Sequence, residues 1–262
     1  MFTSICVRLR GVLVVSALSM ALAAGAEAAT VNLTSFNRSD LVGAQKAHDD
    51  FLSQYTVKSQ RSETFGDKAA WNGSTGTTNP RDTSVGSFTT LGGTGSGASH
   101  INGGTGLEVR GDNNMNWGRF NADRLDNDLI GGKWLDSNDT LGMKWEIGGL
   151  GAFNALSFFL IDAADVGGKF SIKVGESLFS QVLGAGGRTA NGNIQLVTIL
   201  LPEAVSNLTV ELFNDRLNDG FGIDGASVSN VAPIPVPPAA ALLVTGVLAL
   251  GAISRRRARA RA

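Results

Sequence analysis

Side chains able to do chemistry are scarce in this sequence, and their spacing narrows the options further. Two histidines occur, His48 and His100. A Ser-His-Asp triad needs one of them, yet no G-x-S-x-G elbow presents a serine, and His100 stands in a glycine-rich stretch, Gly97-Ala98-Ser99-His100. His48, beside Asp49 and Asp50, reads as a surface residue. No H-E-x-x-H pattern offers two histidines to zinc. The run from Gly93 to Gly106 lacks the Lys-Ser/Thr pair of a phosphate cradle. One cysteine, Cys6, makes neither an internal disulfide nor a thiolate metal cluster. A glycosidase needs two carboxylates at a defined separation, and spacing singles out no such pair.

Two acidic segments stand out. Glu63-Thr64-Phe65 lies early, and Asp219-Gly220-Phe221-Gly222-Ile223-Asp224-Gly225 lies late. The late segment reads as a strand with Phe221 and Ile223 on one face and Asp224 and Ala226 on the other. A carboxylate facing a core is costly unless it is paired or binds a metal; capping of backbone amides is the competing reading. A second cluster, from Asp112 to Asp139, has the composition of calcium loops without their spacing. It also holds Trp117, Phe120 and Trp134 among Arg119 and Arg124. Ring faces for stacking and planar polar groups for hydroxyls are what sugar binding needs, so Trp117, Trp134 and Arg119 are candidate glycan contacts. Burial of these rings in a core is the alternative.

The elements that must position these residues are mostly strands. Period-two alternation marks half-buried strands at Val31–Phe36, Val85–Leu91, Leu107–Arg110, Leu141–Ile147, Leu156–Ile161, Phe170–Val174, Ile194–Leu200 and Leu208–Leu212. Turn signals separate them, among them Val166-Gly167-Gly168, Asn191-Gly192 and Leu201-Pro202. Many short strands with glycine turns predict a mainly β antiparallel sandwich of jelly-roll type. One segment departs from this. Ser39–Tyr55 has helical spacing of Leu41, Ala44, Phe51 and Leu52, with Ser39 or Asp40 as N-cap, and is expected to plug one end of the sandwich. Asn72 to Gly106, though rich in glycine, reads as loops and short strands of the same domain.

The two ends carry a different message. Arg8 and Arg10, the apolar run from Gly11 to Ala24 and the small-residue site Ala26-Glu27-Ala28 predict that residues 1–28 are a signal peptide cleaved after Ala28, with Ala24-Gly25-Ala26 as a second candidate site. At the other end, 231–238 is proline-rich (VAPIPVPP), 239–254 is a short uncharged run long enough for a marginal transmembrane helix, and 255–262 is an arginine-rich tail held in the cytoplasm. Between them, 29–230 forms one domain. The chain of 262 residues has 22 Lys+Arg and 23 Asp+Glu, a net charge of −1. The two ends hold seven of those basic residues and one acid, which leaves the body at −7 with no cysteine. Nucleic acid is thereby disfavoured as a partner.

The tail resembles the PEP-CTERM class of sorting signals, in its VPLPA variant: Val236, Pro237, Pro238 and Ala239, then the apolar run, then Arg255, Arg256 and Arg257. Pro238 stands where leucine is usual. The resemblance implies the Sec translocon and signal peptidase as early partners, then an exosortase-type membrane protease, with exopolysaccharide as a further partner. The body looks like the concanavalin-like or galactose-binding-like jelly rolls of such exported proteins, which show an early E-T-F and a late G-F-G-I-D-D-V; Gly225 replaces the second acid here. That resemblance implies a structural calcium, which needs about six to eight oxygen ligands, with Glu63, Asp224 and Asp67 supplying some of them, and pairing of the first and last strands. The function expected is a non-catalytic, exported and anchored surface or matrix protein with weak glycan or calcium binding. A secreted polysaccharide hydrolase or lyase is the alternative.

Overall fold

The computed structural model describes residues 28–37, 39–68, 81–93, 106–111 and 133–234. Ala26, Trp117, Arg119, His100 and the whole sorting tail (Val236, Pro237, Pro238, Ala239, Arg255, Arg256, Arg257) lie outside them. Among the described residues no helix is long and apolar enough to cross a membrane; the 239–254 run is not among them.

The described chain is mainly β, with one helix, and its strand pairs are antiparallel. Its organising elements are two very long strands, β7 (Gly142–Ile161) and β10 (Ile194–Asn214), paired along most of their length. Each serves two sheets. The C-terminal half of β7 and the N-terminal half of β10 join β1 (Thr30–Phe36), β2 (Tyr55–Glu63) and β11 (Gly222–Pro233) in a helix-side sheet ordered β1-β10-β7-β11-β2. The short β5 (Glu108–Gly111) and β6 (Lys133–Asp136) extend it from the start of β11. The other halves form an open sheet with β3 (Arg81–Thr83), β4 (Gly86–Thr90), β8 (Phe170–Val174) and β9 (Ser177–Leu183), ordered β3-β4-β7-β10-β8-β9.

That the sheets face each other follows from one contact. Trp145 and Phe158 lie on the same strand, and thirteen residues of straight strand span about 43 Å. Their ring centroids are 6.1 Å apart. The strand therefore folds over on itself, at Gly149 and Gly151, both with positive φ (72° and 87°). Opposite this bend, β10 shifts register between Leu200 and Val205. Strands that bend and bulge from one sheet into the next are a known way to make such corners. The main core fills the space between, with Trp145, Phe88, Val210 and Leu212 from the open sheet against Phe158, Leu160, Val197 and Ile223 from the helix-side sheet.

The structure corrects the expected strand list here. Leu141–Ile147 and Leu156–Ile161 are one strand, and so are Ile194–Leu200 and Leu208–Leu212, because glycines and Pro202 make a bulged corner rather than a turn. Nor does the first strand meet the last. β1 pairs β10, while β11 pairs β2, with Ala226 opposite Glu63.

The helix α1 (Leu41–Ser53) starts at Asp40, whose carboxylate accepts the Gly43 amide at 3.0 Å. It lies across the outer face of the helix-side sheet rather than at one end. Ala44 packs with Phe159, Ile161, Ile194 and Leu196, and Phe51 with Ala155 and Val231. Asp40→Ala removes the acceptor for an otherwise orphaned helix amide. It is expected to cost about 1 kcal/mol, read as a lower urea midpoint at unchanged slope; an unchanged midpoint would show that water satisfies that amide as well.

Candidate functional site

Strand pairing brings the two acidic segments together. Glu63, 5% exposed, is fully engaged by protein. Its Oε1 accepts the Phe65 amide at 2.7 Å, its Oε2 accepts the Ser84 amide at 3.1 Å, and Lys68 Nζ stands 3.5 Å from Oε2. Asp224 is completely buried, and its Oδ1 accepts its neighbour Gly225's amide at 2.5 Å. Its Oδ2 has no hydrogen-bond partner. Burial pushes the Asp224 carboxyl well above the usual range; the Gly225 amide opposes this and the Glu63 charge adds to it. Gly225, at φ +57°, sits in a register shift between Asp224 and Ser227. That bulge breaks the strand's alternation, so Ile223 and Ala226 both join the main core, and Ala226 does not share the face of Asp224 as strict alternation predicts.

Two of the three candidate calcium ligands, Glu63 and Asp67, share the Lys68 ammonium. Asp67 carries a carboxylate 76% exposed and 3.4 Å from Lys68 Nζ. Glu63 spends its oxygens on amides. Among the described residues no three His, Cys, Asp or Glu side chains gather to hold a metal. The glycan role expected for Trp134 meets a similar obstacle. Trp134 is completely buried, packed with Phe159 and Ile161 beneath α1, so it presents no ring face for a sugar.

His48 does find a serine and an aspartate. Its Nε2 is 3.1 Å from Ser157 Oγ, and its Nδ1 is 3.5 Å from Asp49. Burial lowers the His48 pKa, partly offset by Asp49. Ser157, however, is 1% exposed. It lies in a row of small polar residues running across the helix-side sheet under α1, through Ser62, Ser227, Ser157, Thr198 and Asn32. A substrate has no path to its hydroxyl. The contact seats α1 on the sheet instead.

The feature that sequence spacing did not single out is the outer face of the open sheet. Alternation along β4, β7, β10 and β8 sends apolar side chains inward and the others outward, and register sets those others side by side. Ser87 stands opposite Glu146, and Glu146 opposite Thr209. One step along, Lys144 stands opposite Glu211, and Glu211 opposite Lys173. The result is a lateral row of alternating charge. Lys144 Nζ lies 3.0 Å from Glu146 Oε1. Asp82 and Thr83 rise on one side, and Gly175 and Glu176 on the other, enclosing a cleft of about 880 Å³. Carboxylates, an ammonium, hydroxyls and the Asn207 amide line it, with no aromatic ring, histidine or cysteine. Such a lining can exchange hydrogen bonds with a hydroxyl-rich ligand.

The described residues thus form a mainly β antiparallel fold with a polar, open concavity. No family model matches the chain, and no curated protein is significantly similar to it. Among solved structures, the CBM51-2 and INT domains from Clostridium perfringens ZmpB are similar at 15% identity and a TM-score of 0.29, over 69% of this chain and 41% of that one. The chain thus spans less than half of that structure, and a likeness this slight carries no argument.

Proposed function

We propose that this chain is an exported bacterial surface or extracellular-matrix protein, non-catalytic, whose open-sheet cleft holds a hydroxyl-rich glycan. The observation that supports the glycan role is the cleft itself, lined by ordered rows of Ser87, Glu146, Thr209, Glu211 and Lys173 on the open sheet. The burial of Ser157 beside His48 favours a non-catalytic reading. Export and sorting are inferred from the two ends: a signal peptide cleaved after Ala28, then the motif at Val236–Ala239, the apolar run and Arg255–Arg257, handled by Sec, signal peptidase and an exosortase-type protease. The body is taken as a jelly-roll variant in which two strands turn the corner between sheets. Calcium has no part in this proposal.

The test follows the full chain and a chain ending at Pro233 in a Gram-negative host that has such a protease, by fractionation and mass spectrometry of both mature ends. The full chain is expected to start at Ala29, to be held at the inner membrane by its tail and to leave once that tail is cleaved, whereas the chain ending at Pro233 is expected to be soluble in the periplasm. A cytosolic product with both ends intact overturns the reading. The purified full chain is expected to be retarded by a neutral polysaccharide in affinity electrophoresis without releasing product, and Glu211→Ala is expected to weaken that retardation about tenfold, the worth of one hydrogen bond to a charged group. Release of shorter sugars would replace this function with hydrolysis.

A further inference from the structure

At the other end of the open sheet, away from the cleft, the β7–β8, β9–β10 and β10–β11 loops meet. Two arginines converge there. A Cβ placed on Gly167 would lie 3.1 Å from Arg216 Nη1 and 3.4 Å from Arg188 Nε, which puts these nitrogens no more than about 6.5 Å apart. Gly167, at φ +101°, has no side chain to separate them. Arg216 is held in place by donating from Nη1 to the Val166 carbonyl at 2.9 Å. Among the described residues Arg188 makes no ion pair or hydrogen bond. Asp219 Oδ2 accepts the Gly168 amide and Asp215 Oδ1 the Lys169 amide, both at 2.7 Å, Asp165 has contacts of its own, and the Arg216 charge also acts on the Asp219 carboxyl. Two guanidinium groups at this distance repel each other unless an anion lies between them.

We propose that Arg188 and Arg216 form a clamp over Gly167 for the carboxylate of a uronic acid unit in an acidic polysaccharide. The planar guanidinium fork matches a planar carboxylate. Asp165, Asp215 and Asp219 offset the charges of Arg188, Arg216 and Lys169, so recognition rests on the fork rather than on a positive field, which suits a monoanion better than a phosphate dianion. Val166, 37% exposed, offers an apolar surface beside the clamp for the C–H face of the sugar ring. The clamp is independent of the cleft: β8 separates the two, with Phe170 at the loop end and Gly175, just beyond Val174, lining the cleft.

Calorimetric titration of the full chain with oligogalacturonate, a neutral malto-oligosaccharide and inorganic phosphate tests this. Oligogalacturonate is expected to bind, to weaken as salt rises, and to lose about tenfold or more in affinity in Arg188→Ala. Arg188→Lys is expected to keep part of the binding, since it keeps the charge and loses the fork. Arg188 is exposed and outside every core cluster, so its variants should melt as the parent does. Parental affinity in Arg188→Ala overturns the proposal, as does phosphate binding that equals or exceeds oligogalacturonate binding. The neutral sugar reports on the cleft separately, so failure of one site is distinguishable from failure of the other.

Discussion

Arg110→Ala is expected to destabilise the domain by about 3–5 kcal/mol, the usual cost of removing one partner from a buried ionic group. Arg110 is 1% exposed on β5, and its Nη2 lies 2.8 Å from Glu108 Oε2. Its Nε is 3.3 Å from Asp136 Oδ2 on the paired strand β6, and its Nη2 donates to Asn138 Oδ1 at 3.2 Å. Both acids are completely buried. Truncating the arginine takes a charged partner from two carboxylates in a site closed to water, and a buried charge stripped of a partner is costly. Urea denaturation of Arg110→Ala should show a large drop in midpoint near neutral pH. Neutralising all three members together, as Glu108→Gln, Arg110→Met and Asp136→Asn, should recover much of the loss. A single variant as stable as the parent would show that the cluster contributes nothing net. The arrangement also explains how two four-residue strands hold their register, because Glu108 lies opposite Asp136 and Arg110 opposite Trp134, and a slip by one residue would turn every charge into the core.

That cluster was only half visible in the sequence. Alternation of Leu107 and Val109 with Glu108 and Arg110 predicts a strand with a charged outer face. Nothing local says that this face is covered, because cover comes from elsewhere in the chain. Other features were legible because their causes are local: α1 and its Asp40 cap, β1, β4 and the strand character of β11. Strand β2 was not, since Tyr55–Glu63 has few apolar residues and is a strand because β11 offers it a ladder. The corner in β7 and β10 was misread for the opposite reason. Glycines and Pro202 normally end strands, but here the bulges keep both chains extended through the bend. The meeting of Glu63 with the Asp224 segment was anticipated, whereas the bulge at Gly225 that sets what each faces was not. The cleft rows depend on register between strands distant in sequence, which no single-strand pattern contains.

Asp224 offers the second large effect, and its sign is opposite to that of Arg110. A carboxyl whose folded-state pKa is raised binds its proton more tightly in the native than in the unfolded chain. Its stabilising contribution is complete below the unfolded value, 3.8, and is lost as pH rises through the raised folded value. Near neutrality the native state therefore carries the cost of a buried carboxyl whose Oδ2 lacks a partner, a cost on the order of 1–3 kcal/mol for an unsatisfied polar group and more if it is ionised. Asp224→Asn keeps an oxygen for the Gly225 amide, removes the titration, and puts a donor near Glu63. The variant is expected to gain stability at pH 7–8, to match the parent at pH 4, and to lose the part of the parent's pH slope above 4 that Asp224 supplies. Asp224→Leu, which gives up the Gly225 bond as well, should fall below the asparagine variant. Thermal melts of the three chains from pH 4 to 9 measure all of this. An asparagine variant that is less stable than the parent at every pH, with the slope unchanged, would show that Asp224 is ionised and satisfied in the folded chain.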